Sequence, residues 1–386
     1  MDITRPAYVF DIDKFHSVIK KVKSVISDIP LTYSIKANPI LAAYISEDVS
    51  HIEVCSPGEY EICNKINIEG KKIIYSGVLK TEDEIKEALC QHVDIITIES
   101  YEQYKYLCEY SKNNELHSNV IIRLSSGNQF GVSEEILFKI MEENTDSGIK
   151  IHGLHYYSGT QKKRIELIEN DLKYLSNVRQ LIEDKYHFKI EFLEYGPGLS
   201  FDYFDKDAEE LTYTSLEQLV YLISQYGLKD IIGLEFGRLL ASVCGKYYTT
   251  VYDIKETNGV KYIITDGGTH QLRYYGQNMA MRVPPIRIVD NVENEGITEK
   301  YCICGSLCTV ADVMVRECEL PSLKIGNVIE FGFCGAYSAT EASALFLSRD
   351  LPAIYIKDNG KLVLIRKKLQ TNCINIGGIL SEYGTD

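Results

Sequence analysis

Residues 31–36 read LTYSIK and residues 51–56 read HIEVCS, two short β-branched runs that each close on polar residues. Runs of this length with Val, Ile, Thr and Tyr suit buried parallel strands. Working outward, six more follow: KIIYSG (72–77), DIITIES (94–100), NVIIRLS (119–125), IKIHGLHYY (149–157), IEFLEYG (190–196) and IIGLEFG (231–237). The intervals carry apolar residues at spacings of three and four, as in TEDEIKEALCQH (81–92) and RIELIENDLKYLSNVRQLIEDKY (164–186), which is helical periodicity. Eight apolar strands alternating with helices predict a (β/α)8 barrel, with a doubly wound open sheet as the competing solution.

Beyond Arg238 the texture changes to YYTTVYDIKE (247–256), VKYIITDGG (260–268), YCICGSLC (301–308) and KLVLIRK (361–367), strand compositions separated by Gly and Asn turns. The expected organisation is an N-terminal segment over 1–28, a barrel over 29–240 and a mainly β domain over 241–386. The strand-like AYVFDI (7–12) is free to pair with that domain, and residues 335–349 read as helix, a return of the chain toward the barrel.

The chain has 386 residues, 45% hydrophobic and 25% charged, enough for a sizeable core. Its formal charge of −14 and lack of basic runs exclude a nucleic-acid footprint. Eleven cysteines without a CxxC pair point to a reducing, cytoplasmic setting. The N-terminal MDITRPAYVFDIDKF has no signal-peptide pattern and no run of 18 apolar residues occurs, so no membrane span is expected. No metal site is expected.

In a barrel the reacting groups stand at the C-terminal strand ends. There the chain places Lys36, Ser56, Arg123, His155, Tyr157, the SGT turn (158–160), the GPG turn (196–198), Glu235 and Arg238. A lysine closing an apolar strand is set up for a lowered pKa and so for Schiff-base chemistry, although a snorkelling lysine is the plainer alternative. The two Gly turns can direct backbone N–H groups at a phosphate, and Arg238 adds a charged donor.

Taken together, YSIKANP (33–39), VCSPGE (54–59), GLHYYSGTQ (153–161), EFGR (235–238), GSLCTVAD (305–312) and GAY (335–337) resemble the ordered motifs of the fold-type III pyridoxal phosphate (PLP) decarboxylases, which act on ornithine, arginine and diaminopimelate. The resemblance implies an alanine-racemase-type TIM barrel with a C-terminal β domain, and a homodimer with shared active sites. It implies Lys36 as the Schiff-base lysine and Glu235 as the acid facing the pyridine nitrogen. Thr160, Gly196, Gly198, Gly237, Arg238 and Tyr337 fall at phosphate-binding positions, and Cys308 and Asp312 at positions delivered from the partner, the thiol as proton donor.

Three departures bear on function. Tyr157 stands where the family stacks a histidine on the cofactor, with His155 two residues before it; either ring is suited to the role. Pro197 interrupts the glycine triplet and removes one N–H donor. Thr309 follows the cysteine where decarboxylases of basic amino acids carry an acid, and a hydroxyl cannot pair with a buried ammonium. With His270 and Arg273 in DGGTHQLRYYGQ (266–277), this points to a substrate whose far end is neutral or anionic: a modified or conjugated amino acid, such as one tethered to a carrier protein. Free diaminopimelate, ornithine or lysine, a racemase, and an inactive regulatory homologue are the alternatives; Glu235 in place of an arginine argues against the racemase.

Overall fold

A computed structural model describes residues 3–114, 118–144, 147, 149–289 and 298–376. The chain forms two compact units: one of His16–Phe201 and Glu209–Leu240, the other of the residues up to Phe15, Asp202–Ala208 and the chain from Ala241 onward. The first elements are β1 (Ala7–Asp11) and α1 (Ile12–Ile26).

In the first unit, β2 (Leu31–Ser34), β3 (His51–Val54), β4 (Ile73–Tyr75), β5 (Ile95–Ile98), β6 (Asn119–Leu124), β7 (Ile151–Tyr157), β8 (Phe192–Gly196) and β9 (Ile232–Phe236) form a closed parallel barrel. Closure comes from β2 pairing with β9, Thr32 opposite Glu235. The eight runs read from the sequence are these eight strands, and the open-sheet alternative is excluded. Two 3-10 turns (Ile35–Ala37 and Pro39–Tyr44) follow β2; the later crossovers use α2 (Pro57–Lys65), α3 (Glu82–Cys90), α4 (Tyr101–Asn113), α5 (Glu134–Glu143), α6 (Ile165–Tyr186) and α7 (Ala208–Gln225), and α8 (Arg238–Ala241) follows β9.

Helix starts are written into the sequence. Ser56, Thr81, Ser100 and Ser133 each accept the N3 amide of the helix they open, and Thr81 with Glu84 completes a capping box. Each such cap stabilises its helix by about 1 kcal/mol. Ile74, Ile95, Ile121 and Phe192 form one buried apolar cluster from β4, β5, β6 and β8. Gly153 and Gly233 admit Phe192: a Cβ on Gly153 would lie 1.7 Å from the Phe192 carbonyl oxygen, and one on Gly233 2.8 Å from its ring. Farther along the strands the interior turns polar, with Ser34, Glu53, Thr97, His155, Glu194 and Glu235 all buried.

The second unit is built on β10 (Gly245–Thr257), β11 (Val260–Thr265), β12 (Ile286–Ile288), β13 (Thr298–Cys304), β14 (Val313–Pro321), β15 (Val328–Phe331), β16 (Ala353–Asp358) and β17 (Lys361–Arg366). The strand order is β14-β13-β11-β10-β1-β16-β17, with β15 joining β10 and β12. β1 lies between β10 and β16, antiparallel to the first and parallel to the second. Two hairpins turn on Asn-Gly pairs, Asn258-Gly259 and Asn359-Gly360, all four residues at positive φ; this backbone matches the twist of the flanking strands.

Residues 335–349, read as helix, are successive turns ending in a 3-10 turn, Phe346–Ser348. The start of the segment is tied to the stretch before β10 and the rest closes short local turns. The Cys334 and Gly335 amides donate to the Gly245 and Ser242 carbonyls, and Tyr337, Leu347 and Ser348 have positive φ. The last described helix is α9 (Asn372–Ile376).

Candidate active site

Lys36 leaves β2 in the 3-10 turn Ile35–Ala37, its side chain 41% exposed and its Nζ inside the barrel mouth. Nζ lies 2.8 Å from Glu53 Oε2 on β3 and 3.3 Å from Glu235 Oε1 on β9. The Ser34 hydroxyl reaches both carboxylates, 2.8 Å from Glu53 Oε2, and its single proton serves one of them at a time. Behind Glu235, His155 Nε2 stands 3.4 Å from Oε2. Burial raises the Glu235 carboxyl, but Lys36 and His155 outweigh it and hold the group well below the usual carboxylate range.

A third acid, Glu194 on β8, is fully buried opposite His155, with Thr32 as its hydrogen-bonding neighbour. Burial, with Glu235 and Glu53 adding repulsion, pushes its carboxyl well above the usual range. Burial and repulsion thus favour the neutral form at Glu194 and the ionised form at Glu235, the division expected when several carboxyls share too little positive charge.

Tyr157 ends β7 half-buried, whereas His155 is 1% exposed and faces Glu235. Burial raises the Tyr157 hydroxyl; a hydrogen bond with Thr160 and the charge of Lys36 work the other way. The turns after β7 and β8 are knitted together: the Lys162 amide donates to the Gly198 carbonyl at 2.9 Å, and Gln161 exchanges two hydrogen bonds with the Phe201 backbone. Gly198 (φ 63°) sits so close that a Cβ would lie 1.9 Å from the Gly159 carbonyl oxygen, while a Cβ on Gly159 (φ 139°) would meet open space. From α6, Asp171 accepts from the Ser158 hydroxyl (2.8 Å) and the Tyr195 hydroxyl (2.8 Å) and pairs with Lys162, anchoring the SGT turn. Gly196 follows Tyr195 at the end of β8, and Gly237 and Arg238 follow β9, half-buried.

Around the same mouth Lys80 is 6% exposed and donates to the Gly77 carbonyl. Burial pulls its ammonium down to about 8 against the pull of Glu99. Arg123, also buried, pairs with Glu99 at 2.8 Å and lies over the Phe130 ring.

The remaining expected residues belong to the β-rich unit. Asp312 is 3% exposed and accepts from the Thr269 amide (2.7 Å), the Thr269 hydroxyl (2.9 Å) and the Leu307 amide (2.7 Å). Cys308 and Thr309 are exposed in the turn that this carboxylate braces. His270 is buried, and Arg273 is exposed, donating to the Glu341 carbonyl at 3.4 Å. Tyr337 holds a positive φ of 63°, its carbonyl taking the Thr340 and Glu341 amides.

Sequence reasoning missed Glu53, Glu194, Ser34, Lys80 and Asp171. The signal for the two acids was available: HIEV and FLEYG each carry a lone carboxylate inside an apolar strand, as GLEFG does, and such a group is retained only beside a partner or as the neutral acid.

PLP requires an amine for its aldehyde, an anion for its ring nitrogen and donors for its phosphate. The barrel mouth carries a reachable Lys36 amine, an ionised Glu235 and two glycine-bearing turns, so the residues fit it. When bound, it supplies an electron sink for the pair left on Cα as CO2 departs.

The comparisons agree. A family model described as "Pyridoxal-dependent decarboxylase, pyridoxal binding domain" matches residues 12–242. The chain is 26% identical over 392 residues to the L-glutamyl-[BtrI acyl-carrier protein] decarboxylase of Niallia circulans, covering 94% of this chain and 91% of that one. It is 26% identical over 373 residues to the 2-[(L-alanin-3-ylcarbamoyl)methyl]-2-hydroxybutanedioate decarboxylase of Staphylococcus aureus, covering 89% and 92%. In fold it is similar to the crystal structure of diaminopimelate decarboxylase from M. jannaschii, with a TM-score of 0.85 at 21% identity over 98% of this chain and 92% of that one. The chain thus belongs to the pyridoxal-dependent decarboxylase family, and it is an enzyme that uses PLP to decarboxylate an amino acid.

Proposed function

We propose that Lys36 holds the cofactor and that the substrate is a modified or conjugated amino acid, a carrier-protein thioester being the form that suits the chain best. Glu235 keeps the ring nitrogen protonated, Tyr157 stacks on the ring, and Thr160, Gly196, Gly198, Gly237, Arg238 and Tyr337 hold the phosphate. Tyr157 takes the stacking role because His155 is committed to Glu235 beneath it. Cys308 returns the proton to Cα, Asp312 braces the turn that carries it, and the enzyme works in the cytoplasm as a homodimer whose sites are shared between subunits.

The observation that carries the substrate reading is the pairing of a neutral Thr309 with an exposed Arg273. Among the described residues, Arg273 meets a backbone carbonyl and no carboxylate. Thr309 offers a distal ammonium no counter-charge, and Arg273, in a cavity that Glu341 also lines, suits a neutral thioester or an anion. The names of the two relatives quoted above, one for a carrier-bound glutamyl group and one for an alanine joined through its side chain, support the same class. Diaminopimelate, with a distal carboxylate for Arg273, is the second reading. The test is CO2 release from free ornithine, lysine, arginine and diaminopimelate against aminoacyl carrier-protein thioesters. Turnover of the thioesters is expected; efficient turnover of free lysine or ornithine alone would return the enzyme to the basic amino acids.

A further inference from the structure

The β-rich unit contains a cavity of about 580 Å3 whose wall includes His270, Ser306, Ser348, Arg349 and Lys368. Two of its side chains, His270 and Ser306, have polar atoms without hydrogen-bond partners among the described residues. His270 is 1% exposed, and neither ring nitrogen has a hydrogen-bond partner. The buried Ser306 hydroxyl is equally unsatisfied. Orphaned donors at a cavity wall are costly unless something entering the cavity completes them.

Arg349 is prepared at both ends. Its guanidinium donates to the Ser306 carbonyl at 2.7 Å, and its own carbonyl accepts the Thr371 hydroxyl at 3.0 Å. That contact keeps the charged head at the wall before any ligand arrives. Burial lowers the His270 pKa and Arg349 adds to the shift against Asp312, so the imidazole is neutral and offers one N–H donor.

The charges on the wall decide which anion fits. Arg349 and Lys368 are cationic, and Asp266 and Asp350 are acidic. Asp266 Oδ1 is engaged by the Thr249 hydroxyl at 2.6 Å and the Thr250 amide at 2.8 Å, which draws that carboxylate toward the sheet. The two positive groups therefore face a partly occupied pair of negatives. With cations and acids balanced, each added negative charge meets further repulsion from Asp266 and Asp350, so a monoanion is disfavoured less than a dianion.

We propose that this cavity binds a singly charged phosphoryl oxyanion, the phosphodiester of a carrier-protein phosphopantetheine arm. The assignment to that arm rests on the carrier-tethered substrate reading; the anion chemistry stands on the cavity alone.

The experiment measures binding, without turnover, on the cofactor-loaded enzyme by calorimetry. The probes are a serine peptide bearing the phosphopantetheine arm, pantetheine without phosphate, and inorganic phosphate. The arm peptide should bind about ten-fold more tightly than pantetheine, and Arg349→Gln and Lys368→Gln should each cost about ten-fold for the peptide and nothing for pantetheine. Both variants are at the cavity rim, and their melting curves check the fold. Equal binding of peptide and pantetheine, or variants that bind the peptide as the parent does, overturns the site. Inorganic phosphate binding more tightly than the diester, with loss in both variants, overturns the arm and leaves a free-phosphate pocket. If the arm binds as expected but no thioester is decarboxylated, the pocket stands and the substrate reading falls.

Discussion

At the residue scale the barrel mouth is a problem in distributing charge. Three glutamates, 53, 194 and 235, face one reachable lysine; Lys36 pairs with Glu53 and Glu235, and burial pushes the third carboxyl, Glu194, upward. Glu235 is held as an anion, which suits its proposed place beside the ring nitrogen, and on that proposal Glu235→Gln should lower kcat by at least about 100-fold with a smaller loss of cofactor retention. Unchanged kinetics would remove Glu235 from the chemistry. Lys80 shows the opposite case, a cation under a desolvation penalty. Burial brings it from 10.5 to about 8, so the charged form costs about 3 kcal/mol in the folded state. That penalty is fully present below pH 8. It fades as pH rises toward 10.5, where the unfolded chain still binds a proton that the folded chain has released. Lys80→Met should therefore gain stability relative to the parent at pH 7, and the gain should shrink by roughly 2–3 kcal/mol by pH 10. Urea midpoints at the two pH values check it; a difference that does not change with pH would mean that the ammonium stays solvated.

At the element scale, loops after strands carry the binding groups while helices brace them. Asp171, one turn and a half into α6, holds Ser158, Lys162 and Tyr195 together, and Gly198 lets the turn after β8 touch the turn after β7. Asp171→Ala and Gly198→Ala should each raise the cofactor dissociation constant by about ten-fold or more, the first by freeing the SGT turn and the second by clash and left-handed strain. The loss of visible absorbance on dialysis measures this. Retention equal to the parent would place phosphate binding elsewhere.

At the scale of the whole molecule, the proposal that Cys308 acts from a partner chain is a statement about assembly. If Cys308 acts across a homodimer, mixing inactive Lys36→Ala and Cys308→Ala chains should restore about a quarter of parental activity: half the dimers at random exchange are hybrids, and each hybrid has one intact site of two. Size-exclusion with scattering gives the oligomer, and no recovery despite demonstrated exchange would put Cys308 in its own subunit's site or outside the chemistry.

The sequence by itself determined the eight barrel strands, the helix starts, the Asn-Gly hairpins and the Lys36 and Glu235 positions. These are encoded locally, in strand periodicity, in hydroxyl caps three residues before an amide, and in turn residues that tolerate positive φ. Residues 335–349 were misread because their apolar spacing is helical, whereas their backbone closes short turns two to four residues back and takes positive φ at Tyr337, Leu347 and Ser348. Only the tertiary structure decided that Glu53 shares Lys36 with Glu235, that burial pushes the Glu194 carboxyl upward, and that His270 and Ser306 line one cavity. Those facts depend on which strands become neighbours and on how much water the packing expels, and burial of a charge is a property of its surroundings.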